Sequence, residues 1–340
     1  MNNYSVYALA ALAATASFAQ SSVTISGLAD LGYRIVNAPG VNKDTQGLAA
    51  NGIGTTVLTI AGSEDLGGGL KANFQLQLTP DFATGNGVSG AAANQMDGLN
   101  ASAHSVSGAQ QAYVGLAGGF GEVQAGRVNT NALDAWGVGS VFGTALGSGY
   151  GGTGGAMFSR SISGAPATIY NTAPTRFNNA IRYISPSFNG FSGSLLYVPK
   201  VNKAGGAVAG TQAAGQSDAV STNREGVTDL GLKYSNGPLN IAYANQKVSQ
   251  GSEGVAPLVG NVSTSTETAA GLSANGTSQI NILSANYNFG ATTVYGAYWT
   301  EVQKNAGTTK NVDATAYALG AKYVMGSYDF IHFLIFTLSL

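Results

Sequence analysis

Val23-Thr24-Ile25-Ser26-Gly27-Leu28-Ala29-Asp30-Leu31-Gly32-Tyr33-Arg34-Ile35 places apolar residues or Gly at odd positions and mostly polar ones at even positions, with Leu28 and Gly32 the exceptions. Side chains that alternate with a period of two belong to an extended strand. Thirteen residues of this pattern predict one strand, longer than the usual length of about 5–6 and suited to crossing a bilayer at a tilt. Leu70, Ala72, Phe74, Leu76 and Leu78 alternate in the same way with Lys71, Asn73, Gln75 and Gln77. So do Ile181 and Tyr183 around Arg182, Leu230, Leu232 and Tyr234 around Gly231 and Lys233, and Tyr317, Leu319, Ala321 and Tyr323 around Gly320 and Lys322. Asp30, Arg34, Lys71, Arg182, Asp229, Lys233 and Lys322 all lie on the face opposite the apolar one. Each predicted strand is greasy on one side and carries charge on the other.

The connections alternate in length. Short links are expected at 63–69, 117–121, 185–190, 235–238, 288–291 and 325–327, and long ones near 37–54, 79–109, 128–177, 199–225, 247–278 and 301–311. Short turns on one rim and long loops on the other are the layout of a membrane barrel. All eight Pro residues fall in these connections or at strand ends, where their missing N–H breaks no ladder. The pattern gives an all-β, transmembrane, antiparallel up-and-down barrel with about twelve or thirteen strands present. Alternation alone leaves open which face looks inward. The strand lengths and the charge-bearing second face favour lipid outside and a wet interior.

Composition agrees. Gly is 49 of 340 residues, charged residues are 9% and Tyr, at 16, outnumbers Lys and Arg together; Gly at that density suits strands and loops better than helices. A net charge of −1 gives no electrostatic footprint for nucleic acid. The chain has no Cys, which removes disulfides and Cys-based metal sites. Residues 1–19 read as a signal peptide: an apolar stretch from Tyr4 to Phe18 too short to span a bilayer, then Ser17-Phe18-Ala19 with small residues at −3 and −1. Cleavage after Ala19 directs the chain to the envelope. Catalytic chemistry is sparse: His104 lies in a polar loop, His332 near the end, and no nucleophile–base spacing or metal cluster is evident. No cofactor and no metal are expected. Gly67-Gly68-Gly69 joins strand to strand, so it reads as a turn and not as a phosphate cradle.

Several segments carry a resemblance. Val23 to Asp30 looks like the opening strand of the β-proteobacterial and neisserial trimeric general porins. Gly62-Ser63-Glu64-Asp65-Leu66-Gly67-Gly68-Gly69-Leu70-Lys71-Ala72 resembles their first periplasmic turn. Gln111-Ala112-Tyr113-Val114-Gly115-Leu116, with Gly119-Phe120-Gly121-Glu122-Val123 and Gly126-Arg127, resembles the next hairpin. Asn178 to Tyr183 with Ser185 to Phe191 resembles the one after, and the likeness runs from residue 22 to about 324. It implies a sixteen-stranded, water-filled barrel of the bacterial outer membrane, usually a homotrimer, passing small hydrophilic solutes and ions. Its third long loop, here 128–177, would fold inward and narrow the passage. Lipid, like subunits and solutes are the implied partners, with no nucleic acid. The pore-lining and constriction candidates are Asp30, Arg34, Lys71, Arg127, Asp134, Arg160, Arg176, Arg182, Asp229 and Lys233.

Two departures stand out. The family's wall Arg before the Glu-Asp-Leu-Gly turn is replaced by Val57, and another common Arg position holds Gln110-Gln111, so the resemblance alone carries no anion preference here. Strict alternation also puts Arg127 on the lipid side unless a bulge redirects it. The barrel is assigned to 20–324. Residues 325–340 form an apolar tail without alternation, where the family continues with further strands, so a truncated barrel that inserts poorly is the expectation. A surface adhesin built on the loops 199–225 and 247–278, or an outer-membrane barrel enzyme, are the alternatives from other classes. The sparse His disfavours the enzyme.

Overall fold

The computed structural model describes residues 22–36, 45–50, 52–80, 82, 110–145, 150, 175–199, 201–202, 223–224, 226–249, 276–304 and 310–339. The assigned signal peptide and Arg160 lie outside them, and the side chain of Arg34 is likewise not described.

The strands in chain order begin with β1 (Ser22–Leu28), β2 (Leu31–Val36), β3 (Thr45–Ala50), β4 (Val57–Gly67), β5 (Leu70–Leu78), β6 (Ala112–Gly118) and β7 (Gly121–Asn129). A helix, α1 (Asn131–Gly139), follows. Then come β8 (Arg176–Ile184), β9 (Phe191–Val198), β10 (Val201–Asn202), β11 (Asn223–Arg224), β12 (Gly226–Asn236) and β13 (Leu239–Ser249). The last four are β14 (Thr277–Asn288), β15 (Thr292–Lys304), β16 (Lys310–Met325) and β17 (Tyr328–Ser339). Thirteen of them form one sheet, β1-β4-β5-β6-β7-β8-β9-β12-β13-β14-β15-β16-β17, while β2–β3 and β10–β11 are separate ladders. Neighbours in the large sheet pair antiparallel, an up-and-down barrel wall. Among the described residues β1 pairs only with β4 and β17 only with β16, so the wall has two free edges.

Two expectations are corrected. Val23–Ile35 is not one strand: β1 joins the wall and β2 leaves it to pair with β3. The break falls at Asp30, whose Oδ2 accepts the N–H groups of Ile53 (2.6 Å) and Gly54 (2.7 Å). Its own N–H donates to Thr56 Oγ1 at 3.0 Å, and that hydroxyl donates back to the Asp30 carbonyl at 3.1 Å. Four bonds pinning one residue to the segment just before β4 turn the chain out of the ladder. The apolar segment set apart at 325–340 is also not a separate tail. Its residues Tyr328–Ser339 pair in continuous register with β16, from Met325↔Tyr328 to Ala314↔Ser339. Lys322 Nζ stands 3.7 Å from Asp329 Oδ2 across that hairpin.

The Gly67-Gly68-Gly69 turn has φ of +85°, +62° and +81°. Three successive left-handed residues explain why the turn needs Gly at each position.

Cross-strand register aligns the apolar face. Leu232, Tyr243, Leu283, Tyr298 and Tyr317 form one outward row across five strands. Leu283 and Tyr317 are about half exposed, at 51% and 49%. Such a continuous exposed apolar belt is unstable in water and stable against acyl chains. Nearer the short turns, Tyr234 packs on Phe191 and Tyr287 on Phe289, with ring centroids 4.4 and 4.5 Å apart. Aromatic rings at that level are the expected interfacial girdle.

The inward face is not uniformly polar. On β13–β16 it carries Ala242, Ala244, Ile280, Ile282, Trp299, Ala316 and Ala318, all buried beneath α1. The helix touches β9 and each strand from β12 to β16. Nine residues of helix are only about 13 Å long, whereas six strands laid flat would span about 24 Å. The wall therefore curves around the helix, which sits on its concave side.

Candidate functional site: α1 and the charged inner wall

Thr130 starts the helix. Its Oγ1 accepts the Leu133 N–H at 3.0 Å, satisfying one of the donors left free at a helix N-terminus. Behind it the chain is latched to β12. The Asn131 N–H donates to Asp229 Oδ2 at 2.7 Å, and Asn131 Nδ2 donates to the Asp229 carbonyl at 2.5 Å. Ser194 Oγ donates to Asn131 Oδ1 at 2.6 Å, and Gln246 Nε2 donates to Asp229 Oδ2 at 3.3 Å. Gly231 lets the helix come this close: a Cβ there would lie 2.6 Å from Ser194 Oγ and 2.9 Å from Asn131 Cγ. At the far end Asn286 Nδ2 donates to the Val138 carbonyl at 2.8 Å.

The underside of α1 is apolar. Trp136 meets Trp299 edge-on at 6.1 Å and Tyr150 at 6.4 Å, and Tyr150 meets Trp299 at 5.3 Å. Both Trp side chains are fully buried. Burial pushes the Tyr150 hydroxyl well above its ordinary pKa; a hydrogen bond to Thr130 opposes this and the carboxylates of Asp229, Glu301 and Asp134 add to it. Polar latches at both ends and aromatic packing between them hold one rigid element against the wall.

The charged groups gather on the open side of the helix. Arg182 Nη2 donates to Asp134 Oδ2 at 2.6 Å, joining β8 to α1. Arg182 Nη1 also reaches the Asn129 carbonyl at 3.2 Å. Arg176 lies within electrostatic range of both Asp134 and Arg127. The ladder shifts between Gly126 and Val128, so Arg127 sits at a bulge, and its Nη1 donates to Asn178 Oδ1 at 2.7 Å. Arg182 and Arg176 therefore face one aspartate, with Arg127 next to Arg176.

Neutral amides continue this network along the wall. Gln77 Nε2 donates to Thr59 Oγ1 (3.4 Å), and Gln111 Nε2 donates to Gln77 Oε1 (3.2 Å). Gln111 Oε1 accepts the Asn129 N–H (3.3 Å), and Asn129 Nδ2 donates to Asp134 Oδ1 (3.4 Å). The chain of contacts runs from β4 through β5, β6 and β7 to the helix. Val57 shares the inward parity of Thr59, so the position expected to hold a wall Arg does face inside.

Of the residues singled out from the sequence, Asp134, Arg176 and Arg182 are brought together, and Arg127 stands next to Arg176. Lys233 stands opposite Ser192 and lines, with Asp134, Arg182 and Ser194, a cavity of about 590 Å³ between α1 and the wall. Lys71 is exposed on the inward parity near the short-turn rim, across from Asp65. Two candidates do not line the passage as free charges. Asp229 is 0% exposed because α1 covers it, and it serves as the helix latch. Asp30 is occupied by backbone amides at the β1–β4 corner. Sequence reasoning missed Asn131, Trp299 and the Gln77–Gln111 ladder. Among the described residues no cluster of His, Cys, Asp or Glu suited to a metal occurs.

Known proteins resemble this arrangement. A family model described as Gram-negative porin matches residues 7–332. Outer membrane porin protein 32 of Delftia acidovorans is 29% identical over 335 residues, covering 95% of this chain and 76% of that protein. An anion-selective porin from Comamonas acidovorans superposes with a TM-score of 0.62 at 24% identity, covering 94% of this chain and 79% of the other. The trimer form of OmpT from Vibrio cholerae superposes with a TM-score of 0.52 at 10% identity, covering 93% and 78%.

Proposed function

From the premise that this chain belongs to the Gram-negative porin family and is an outer-membrane channel and not an enzyme, we propose that α1 forms its constriction and that the constriction favours anions. Small hydrophilic solutes and ions pass by diffusion. They pass between the open side of the helix and the wall that carries Arg127, Arg176, Arg182 and Lys233. The observation that carries this reading is the Arg182–Asp134 contact, with Arg176 in electrostatic range of the same carboxylate and Arg127 next to Arg176. One carboxylate against three guanidinium groups leaves an excess of two positive charges, and such groups in a narrow, partly desolvated passage attract anions directly. The Comamonas porin is described as anion-selective, which supports the same sign. Assembly as a homotrimer in outer-membrane lipid belongs to the proposal as well, supported by the trimeric form of one structural neighbour.

The test is the zero-current potential across a planar bilayer separating unequal KCl concentrations. Wild type gives the sign of chloride preference. The double variant Arg176→Gln/Arg182→Gln shifts it by tens of millivolts toward potassium. An unchanged potential would place selectivity elsewhere.

A further inference from the structure

The wall that faces the open side of α1 is divided in charge. The helix packs on β9 and on β12–β16, so β4–β8 bound the open passage. Its three guanidinium groups stand at one end, on β7 and β8. On β4–β6 the inward charges are Lys71 and Asp65, which face each other across the ladder at the short-turn rim. From there toward the long loops the inward residues described on those strands are uncharged. Val57 and the Gln110-Gln111 pair, where the family's wall Arg residues are expected, belong to this neutral part.

Gln77, Gln111 and Asn129, each half-buried, are the middle of the hydrogen-bonded strip that ends on Asp134. A side-chain amide has two N–H donors and an oxygen that accepts twice. Gln77 gives one N–H to Thr59 and accepts one from Gln111, while Gln111 accepts the Asn129 N–H. Each Gln therefore keeps one donor and one acceptor position for the lumen. Gln75, two residues nearer the short turns, adds another amide, with Tyr113 Oη 3.5 Å from its Oε1. Hydroxyl groups match such a surface, because each both donates and accepts. An alkyl chain does not, because it strips water from the amides and returns no hydrogen bond. From Asn129 to Gln77 the strip crosses two strand spacings, about 10 Å, within reach of an extended six-carbon solute. We infer that the strip and the guanidinium end form one binding track for linear polyhydroxylated carboxylates, the class of the aldonic acids. The carboxylate sits at Arg176 and Arg182, and the hydroxyls lie along Gln111, Gln77 and Thr59. This rests on the reading that the Arg residues of the constriction attract anions.

The test adds gluconate, hexanoate or glucitol to one side of a planar bilayer holding the full-length protein, and reads the dwell time of transient current blockades. Gluconate and hexanoate share charge and chain length, so their difference reports the amides; glucitol keeps the hydroxyls and lacks the anchor. Wild type holds gluconate roughly tenfold longer than hexanoate, as two hydrogen bonds at about threefold each would give, and longer than glucitol. Gln77→Leu/Gln111→Leu brings gluconate down to the hexanoate dwell, and the single variant Gln111→Leu, a smaller change to the wall, shortens it about threefold. Equal dwell of gluconate and hexanoate in wild type overturns the inference, as does glucitol held as long as gluconate, or a double variant that holds gluconate like wild type. The zero-current potential in a KCl gradient, taken on the same channels, keeps the two readings apart. A chloride-preferring wild type with equal dwell defeats the track alone, and a wild type without chloride preference defeats both.

Discussion

At Asp229 the placement of one carboxylate decides how a loop is held. Its Oδ2 accepts from both Asn131 and Gln246, and its own carbonyl accepts from the Asn131 side chain. Asp229→Ala strands two buried donors, each costing about 1–3 kcal/mol. The channel should then flicker between conductance levels and lose its heat-modifiable shift at a lower temperature. Asp229→Asn keeps an acceptor and should lie between the two, whereas equal behaviour of both variants and wild type would show that the latch holds nothing. Residues of this kind were only half legible. The period of two correctly placed Lys71, Arg182, Asp229 and Lys233 on the inward parity. It could not distinguish an inward carboxylate that meets water from one covered by a helix, because that depends on a segment 98 residues away. Arg127 is a different case: strict alternation points it at lipid, and in the structure it lies opposite a bulge beside Asn179, with φ of +53°, where it bonds Asn178 and comes within electrostatic range of Arg176.

Helix α1 was the least visible element. It lies in the stretch 128–177, read as a long inward-folding loop with no helix assigned to it, yet Thr130 is a cap residue and Ala132, Leu133, Ala135 and Trp136 follow with helical spacing. The matching signal was on the wall, where β13–β16 bury small or apolar residues on the face that should be wet. A strand apolar on both faces reads as a poor barrel strand until something covers its inner side. Close approach depends on Gly231. Gly231→Ala should push Asn131 off β12, raising mean conductance and current noise. Gly193→Ala on the neighbouring strand meets only ordinary contacts, the nearest at 3.8 Å, and should record as wild type. Identical traces from both variants would mean that α1 does not bound the passage. The thirteen-residue opening strand failed as an element for a related reason. Alternation continued through Asp30, but four local hydrogen bonds there outweigh ladder continuity.

For the molecule as a whole, a wall that turns its apolar face outward reverses the rule for soluble proteins, and the outward row of Leu and Tyr accounts for it. Placing Arg there at mid-depth costs about 2–4 kcal/mol. Leu283→Arg should therefore cut the yield of folded, lipid-inserted protein severalfold in a refolding assay read by the heat-modifiable gel shift, with no such loss for Leu283→Phe. The chain has no cysteine, so single cysteines can report on each face without background. Leu232 and Lys233 are neighbours in β12 that point to opposite sides of the wall. The most direct measurement records single channels of Leu232→Cys and Lys233→Cys while an anionic, membrane-impermeant methanethiosulfonate is added. The account predicts a stepwise fall in conductance for Lys233→Cys and none for Leu232→Cys. A response from Leu232→Cys with silence from Lys233→Cys would contradict it, because the greasy side would then line the water.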